Sequence, residues 1–509
     1  MKYKKDLLIV LAIFLFGFAV RFWSIYPANT IIGFDQARDL WDVVKIFRDH
    51  DLRIIGPVAG NNPNLHHGVL YLHYLIFPLI VFHGNPAGAA IWNSIFNSLT
   101  AVVLYFFAKS LFKSKSVSLI SSLTAASSYQ LVSFSGWLSN PSPTILTVPI
   151  FFYGLWKYYK KRNWGLVIAF LFLGLSIQLE LFFVYLIPIT LIVFLVLRMK
   201  LPSLKLLFAC FAIFAVSTST MILAEVKLHF EGIKSIFSAG SFVGGVHRDS
   251  IITSFSSFVT RMDVFRLNFW PSSYDIGFIF GGIVLVFFLY ELVKNRSNKK
   301  VRNRDLFLII YFLSPSIMLF LGSHNAPWFL IGRPASAILM GSYVLSKVKP
   351  KFLVFFAVVF IILGNLLQMK GDYGKGQVLL EPDESSIMSE QISAVDFTYN
   401  ESKGEKFTIN TLTNPLYINA VWSYHYFWYG ESKYGYLPTW GGGDQLYPYN
   451  VLGKENGKEK YLYLLIDKSY RIPPQYKKEL IDWANGRSKL ISEKDFGGIL
   501  VQKREFLKI

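Results

Sequence analysis

The sequence specifies a polytopic α-helical membrane protein with about eleven transmembrane helices. It adds interfacial helices in the first outer loop and a soluble α/β domain at the C-terminal end. Three observations lead there. Of the 509 residues 53% are hydrophobic and 17% aromatic, with only 16% charged, a balance foreign to soluble chains. Apolar runs that approach the ~18–20 residues needed to cross a bilayer recur along the chain. Lys and Arg cluster in alternate short loops, the positive-inside arrangement. That clustering also accounts for the net charge of +19, so the charge does not imply a nucleic-acid partner. The single cysteine, Cys210, lies in an apolar run, which leaves no disulfide framework and no Cys-based metal site.

Taken in order, MKYKK is a basic cytoplasmic flank and Leu7–Tyr26 a retained first span, with no small-residue cleavage site after it. The chain leaves the membrane at Pro27. Val69–His83 is apolar but short. If it crossed, Lys109, Lys113 and Lys115 would fall outside, so the charge rule makes it an interfacial helix. The remaining spans then alternate consistently. They are Gly88–Phe112, Ser116–Ser135, Thr144–Tyr159, Gly165–Ile177, Leu181–Leu197, Leu204–Ala224, Ile276–Val293, Leu306–Leu321, Ile331–Ser346 and Phe352–Leu367, with KYYKKRN, RMK, KNRSNKKVRNR and KVKPK all inside. Residues 1–369 form the membrane domain and 370–509 an outer domain. That outer domain has expected strands at Lys406–Thr411, Tyr461–Ile466 and Gly498–Lys503 and a helix near Gln475–Trp483.

The outer face carries the unusual polar residues. Ala37, Leu40, Trp41, Val44 and Phe47 recur at helical spacing, with Arg38, Asp39, Lys45, Arg48 and Asp49 largely on other faces. This is an amphipathic helix expected to lie on the bilayer. Asp35 stands at its start, where a carboxylate serves as an N-cap and is also placed to take a proton from a substrate hydroxyl. His66 and His67 precede the second interfacial helix. They read either as a polar loop or as donors to sugar or phosphate. Asn140, and Gln178 with Glu180 in a turn between spans, are polar groups at a depth where they usually face a cavity or a partner. Lys227, His229, His324 and Arg333 lie at outer span ends. Singly, each reads as a lipid-headgroup anchor; together they fit a cationic pocket for a lipid phosphate. His66, His67 and Glu180 are conceivable ligands for a divalent metal, which nothing in their spacing demands. The aromatic run YHYFWYGESKYGYLPTWGGG is either a sugar platform or core.

An Asp opening an interfacial helix, a His-bearing turn into a second one, many spans and an outer C-terminal domain together resemble the GT-C glycosyltransferases. The likeness is greatest to the protein O-mannosyltransferases and the bacterial aminoarabinose transferases of lipid A, and by architecture it covers residues 1–370. The family's Asp-Glu pair reads Asp35-Gln36 here. Its His-Pro-Pro-Leu or Lys-Pro-Pro-Leu turn reads His66-His67-Gly68-Val69-Leu70, without the prolines. The resemblance implies a polyprenyl-phosphate-linked sugar as donor and a glycolipid, cell-wall or protein hydroxyl as acceptor. It also implies Asp35 as the base, inversion at the anomeric carbon, and the outer face of a plasma membrane as the place of reaction. The Asp-Gln variant favours a prokaryotic membrane. The rival class is a transporter, lipid-linked glycan flippase or ligase. Transporters usually show paired repeats with matched helix breaks, and none is evident.

Overall fold

The computed structural model describes residues 2–507 apart from 28, 61, 240–258, 321–326, 377–378 and 380–382. Its first half runs through twelve helices: α1 (Lys2–Ile25), α2 (Phe34–Arg48), α3 (Leu70–Val81), α4 (Pro86–Phe112), α5 (Lys115–Ser127), α6 (Tyr129–Ser135), α7 (Thr144–Tyr159), α8 (Asn163–Leu179), α9 (Leu186–Leu197), α10 (Leu204–Ser217), α11 (Ser219–Lys227) and α12 (Glu231–Ala239). Longer helices follow at Tyr274–Lys294, Lys299–Leu313, Arg333–Leu345 and Lys351–Gly371.

Helices occupy every position where a span is expected. Among the described residues four are long and apolar enough to cross a bilayer: Asp6–Ile25, Pro86–Phe112, Tyr274–Lys294 and Lys351–Gly371. The pair α10 and α11, bent by 64°, would make a fifth. The other positions hold shorter or broken helices. The expected span Ser116–Ser135 divides into α5 and α6 at Ser128, whose Oγ caps α6 by accepting from the Leu131 N–H. Arg21, fully buried in α1, donates to the carbonyls of Gly17 (3.0 Å) and Ala126 (3.1 Å) and to Ser135 Oγ (3.0 Å). It thereby ties α1 to α5 and α6, the paired state a charge at membrane depth requires.

The C-terminal part builds a five-stranded sheet in the order β2-β1-β3-β5-β4. Its strands are β1 (Phe407–Leu412), β2 (Thr439–Trp440), β3 (Tyr461–Asp467), β4 (Ser488–Asp495) and β5 (Ile499–Phe506). β1 runs parallel to β2 and β3, whereas β5 is antiparallel to β3 and β4. Alternate β3 residues serve opposite faces. Tyr463 and Leu465 pack under the helix Met388–Ser402 with Val395 and Tyr399, and Leu462, Leu464 and Ile466 pack with Ala484 of the helix Pro474–Asn485. β4 and the helix Met388–Ser402 lie outside the elements expected from sequence. β4 is an edge strand exposed along nearly its whole length, so it lacks the apolar alternation that marks a strand.

The first loop is where the two parts meet. Thr30–Ile32 pairs with the strap Ser386–Met388, through Ile32 N–H to Ser386 O (2.8 Å) and Met388 N–H to Thr30 O (3.0 Å). The apolar stripe of α2, expected on the bilayer, is covered by protein over Ala37, Leu40 and Trp41, while Val44 is half-buried and Phe47 stays exposed. Ala37, Leu40, Trp41 and Val43 are buried against Tyr71, Leu72 and Leu75 of α3 and Ala420 and Tyr424 of the helix Ala420–His425. The indole Nε1 of Trp41 donates to Ala420 O (3.1 Å) and Ser423 Oγ (3.2 Å). α3 has 12 residues and so is about 18 Å long. This falls short of the ~30 Å hydrocarbon core, in keeping with an interfacial helix. In the aromatic run after Ser423, Tyr424, Tyr426 and Trp440 are buried core, and Tyr429, Tyr434 and Tyr436 pack half-buried against it.

Candidate active site

α2 and its C-cap Asp49 carry charged residues at 35, 38, 42, 45 and 49, a three-four-three-four spacing that sets them on one face of the helix. That face looks onto a polar cavity of about 590 Å³ lined by Arg38, Asp42, Lys45, Asp51, Arg53, the segment Ile54–Val58, His66, Lys227 and Tyr447–Tyr449. The cavity therefore collects the first loop, the end of α11 and a loop of the C-terminal sheet. A hairpin in the first loop places His66, through Ala59 N–H to Leu65 O (2.7 Å) and His67 N–H to Pro57 O (2.9 Å). His66 Nδ1 bonds Gly56 O (2.9 Å), which leaves Nε2 as the ring's acceptor.

Asp35 stands in the first turn of α2, its side chain 66% exposed, and pairs with Arg38 at 2.7 Å. The N-cap position belongs to Gly33, not Asp35. Gln36 Oε1 accepts from the Gly33 N–H at 3.0 Å and so satisfies one open donor of the helix start. The carboxylate of Asp35 is thus not consumed by capping. Arg38 reaches the other way to buried Asp39, whose Oδ1 accepts from Nε (3.0 Å) and Nη2 (2.8 Å). Burial pushes the Asp39 carboxyl up to about 7 against the pull of Arg38. Burial works to lower the Arg38 pKa, but Asp39 and Asp35 outweigh it and hold the guanidinium charged. On the cavity wall Asp42 pairs with Arg53.

Behind the cavity lies a second group. His67 Nδ1 is 3.3 Å from Glu180 Oε1, and both side chains are nearly enclosed. Burial lowers the imidazole to about 3 and raises the carboxyl to about 8. The 3.3 Å contact therefore joins a neutral imidazole to a protonated carboxyl and is not an ion pair, and Nδ1 accepts from the Leu181 N–H at 3.4 Å. Asn140 Nδ2 donates to Glu180 Oε2 (3.0 Å) and Leu179 O (2.9 Å), and Gln178 Nε2 donates to Thr220 Oγ1 (2.7 Å). Gly68 closes the turn. A Cβ there would lie 2.5 Å from the Gln178 carbonyl, so only glycine allows the first loop to seat on the end of α8.

Of the sequence-expected residues, the structure brings His66 and Lys227 into the cavity lining, whereas Asp35 is outside that lining and is joined to it through its pair with Arg38. His67, Asn140, Gln178 and Glu180 form the wall behind it. His229 follows Lys227 in a left-handed turn, exposed and outside the cavity lining. Arg333 is elsewhere. It is buried at the start of its helix, with Nη1 donating to Arg261 O (3.2 Å), Nη2 to Ser316 Oγ, and the guanidinium over Phe312. His324 lies outside the described residues. His66, His67 and Glu180 do not make a ligand set, because Nδ1 of His67 is taken by the Leu181 N–H and Nδ1 of His66 by Gly56 O. Among the described residues no three His, Cys, Asp or Glu side chains converge to hold a metal. Sequence reasoning missed Arg38, Asp39, Asp42, Arg53, Tyr447 and Tyr449. The spacing of charges along α2 could have found the first and third.

Comparison with known proteins matches residues 66–222 to the family model described as dolichyl-phosphate-mannose-protein mannosyltransferase. That stretch contains the His66–Gly68 turn and the Gln178–Glu180 turn it packs against. No curated protein matches the sequence. Among solved structures, the crystal structure of ArnT from Cupriavidus metallidurans bound to undecaprenyl phosphate matches with a TM-score of 0.59 at 11% identity, over 98% of this chain and 97% of that one. Its apo form matches with a TM-score of 0.60 at 11% identity, over 99% and 98%. At that identity the likeness is one of fold. In sequence over residues 66–222 and in fold over nearly its whole length, the chain resembles the GT-C glycosyltransferases.

Proposed function

We propose that the protein is an integral-membrane glycosyltransferase. It moves a sugar from a polyprenyl-phosphate donor to an acceptor hydroxyl on the extracytoplasmic side, with inversion. The observation that carries this reading is the cavity beside the Asp35–Arg38 pair, walled by Arg38, Lys45, Arg53 and Lys227 against only Asp42 and Asp51. Arg38 and Arg53 are held by carboxylates, and with Lys45 and Lys227 beside them the wall offers cationic donors that suit a lipid phosphate. The ArnT structure of this fold was determined with undecaprenyl phosphate, which supports the donor class.

Asp35 takes the proton of the acceptor hydroxyl, and the freed oxygen attacks the anomeric carbon. The bond from that carbon to the phosphate oxygen breaks, and its electron pair leaves with the polyprenyl phosphate. Lys227, Arg38 and Lys45 meet the charge that develops there, so no general acid is needed. A single displacement inverts the anomeric centre, by analogy with the inverting glycosidases. The same reading takes about eleven spans, a cytoplasmic N-terminus, a membrane domain 1–369 and an outer domain 370–509.

The test is turnover of a labelled polyprenyl-phosphate sugar by the purified protein. Wild type should release polyprenyl phosphate. Asp35→Asn should not, while it expresses and binds the donor as before. Full activity in that variant would sink the assignment of the base.

A further inference from the structure

α2 has a second occupied side. Opposite the charged face, Val43, Val44, Phe47 and Arg48 line a groove of about 540 Å³ whose floor is α3 and whose far wall is the aromatic segment Tyr424–Trp428. The volume falls in the range of small-ligand pockets, and the lining is apolar apart from Arg48, His83, Glu431 and Ser432. One end is closed tightly. Tyr424 OH donates to Gly84 O at 2.8 Å, and a Cβ on Gly84, whose φ is +81°, would lie 2.7 Å from the Trp428 ring.

The floor continues outward as an apolar surface. In α3, Ile76 and Leu79 face the groove, Ile80 lies on its edge, and Phe77 and Val81 stand 53% and 49% exposed beside them. Phe47 of α2 is 58% exposed at the groove mouth. A helix too short to span and apolar on its outer side belongs at the membrane surface, where this groove would open to the lipid phase. Its mouth carries the exposed guanidinium of Arg48 and the exposed imidazole of His83, N–H groups that a lipid phosphate can accept from.

We propose that this groove is a lipid-chain site that seats one hydrocarbon chain of an anionic membrane lipid, the headgroup phosphate lying against Arg48 and His83. Because the site needs no turnover, it stands or falls apart from sugar transfer.

The probe is phosphatidylglycerol with a photoactivatable diazirine in one acyl chain, in nanodiscs holding the full-length protein. After irradiation, adducts are mapped by mass spectrometry. Adducts are expected on Phe427 and Trp428 as well as on α3, and Ile80→Trp, which fills the groove from an exposed position, should remove the adducts on 427–428 and spare those on α1 and α4. Arg48→Ala should erase the preference for this probe over the same diazirine in phosphatidylcholine. Labelling confined to the transmembrane helices, or labelling of 427–428 that Ile80→Trp leaves unchanged, would overturn the proposal. So would equal labelling by both lipids in wild type, because the headgroup contact would then be absent.

Discussion

Two carboxylates of different character meet on Arg38. Asp39 is buried and grips the guanidinium edge, whereas Asp35 is exposed and takes the remaining nitrogen. A planar fork can satisfy both at once, and an ammonium cannot. Arg38→Lys should therefore leave the fold intact by circular dichroism and lower the transfer rate about 10²-fold, the usual cost of misplacing a reacting group. The His67–Glu180 pair predicts a pH signature. Glu180 moves from 4.5 to about 8 on folding, so the folded state holds a proton the unfolded state has lost, and stability falls as pH rises between those values. His67 moves from 6.5 to about 3, so its contribution rises between 3 and 6.5. The two slopes oppose each other up to pH 6.5, leaving a net loss from there to about 8. Thermal unfolding in detergent should show that loss in wild type and lack it in Glu180→Gln.

Among the elements, α2 depends most on partners far away in sequence. Trp41 is its anchor, fully buried and bonded to the helix Ala420–His425. Trp41→Ala should cost about 3–5 kcal/mol, read by thermal unfolding, and amides of residues 34–48 should exchange faster while those of α7 and α8 stay protected. The amphipathic pattern of α2 was legible from sequence because a 3.6-residue period survives any environment. What covered the apolar stripe was not, because a bilayer and a protein surface demand the same residues. The Asp35 assignment had the same history in reverse. Its place near a helix start was readable, but Gly33 took the cap, a distinction that rests on one backbone conformation. β4 left no trace because an exposed edge strand has no buried face to impose alternation.

At the scale of the molecule, the succession of helices was readable from the apolar segments, and β1, β3 and β5 from their local pattern. Convergence was not, because it depends on how distant turns pack. Lys227 reached the cavity and Arg333 did not, although the sequence led to the same expectation for both, an outer span end. Sidedness has a direct test, since the lone Cys210 is buried and gives a silent background. Ser297→Cys, in the most basic loop, and Tyr470→Cys, after β3, are both exposed positions. In intact cells a membrane-impermeant maleimide should label only the second, and permeabilisation should be needed for the first.

The seating of α2 has one more consequence. It works as a party wall, with a charged room on one side and an oily one on the other, and hardly a residue is shared between them. Arg38, Asp42 and Lys45 furnish the first, and Val43, Val44 and Phe47 the second. Substitutions on either side can therefore accumulate without disturbing the other. Preference for a headgroup and preference for a tail are free to change separately in related chains, provided that Trp41 keeps the wall upright.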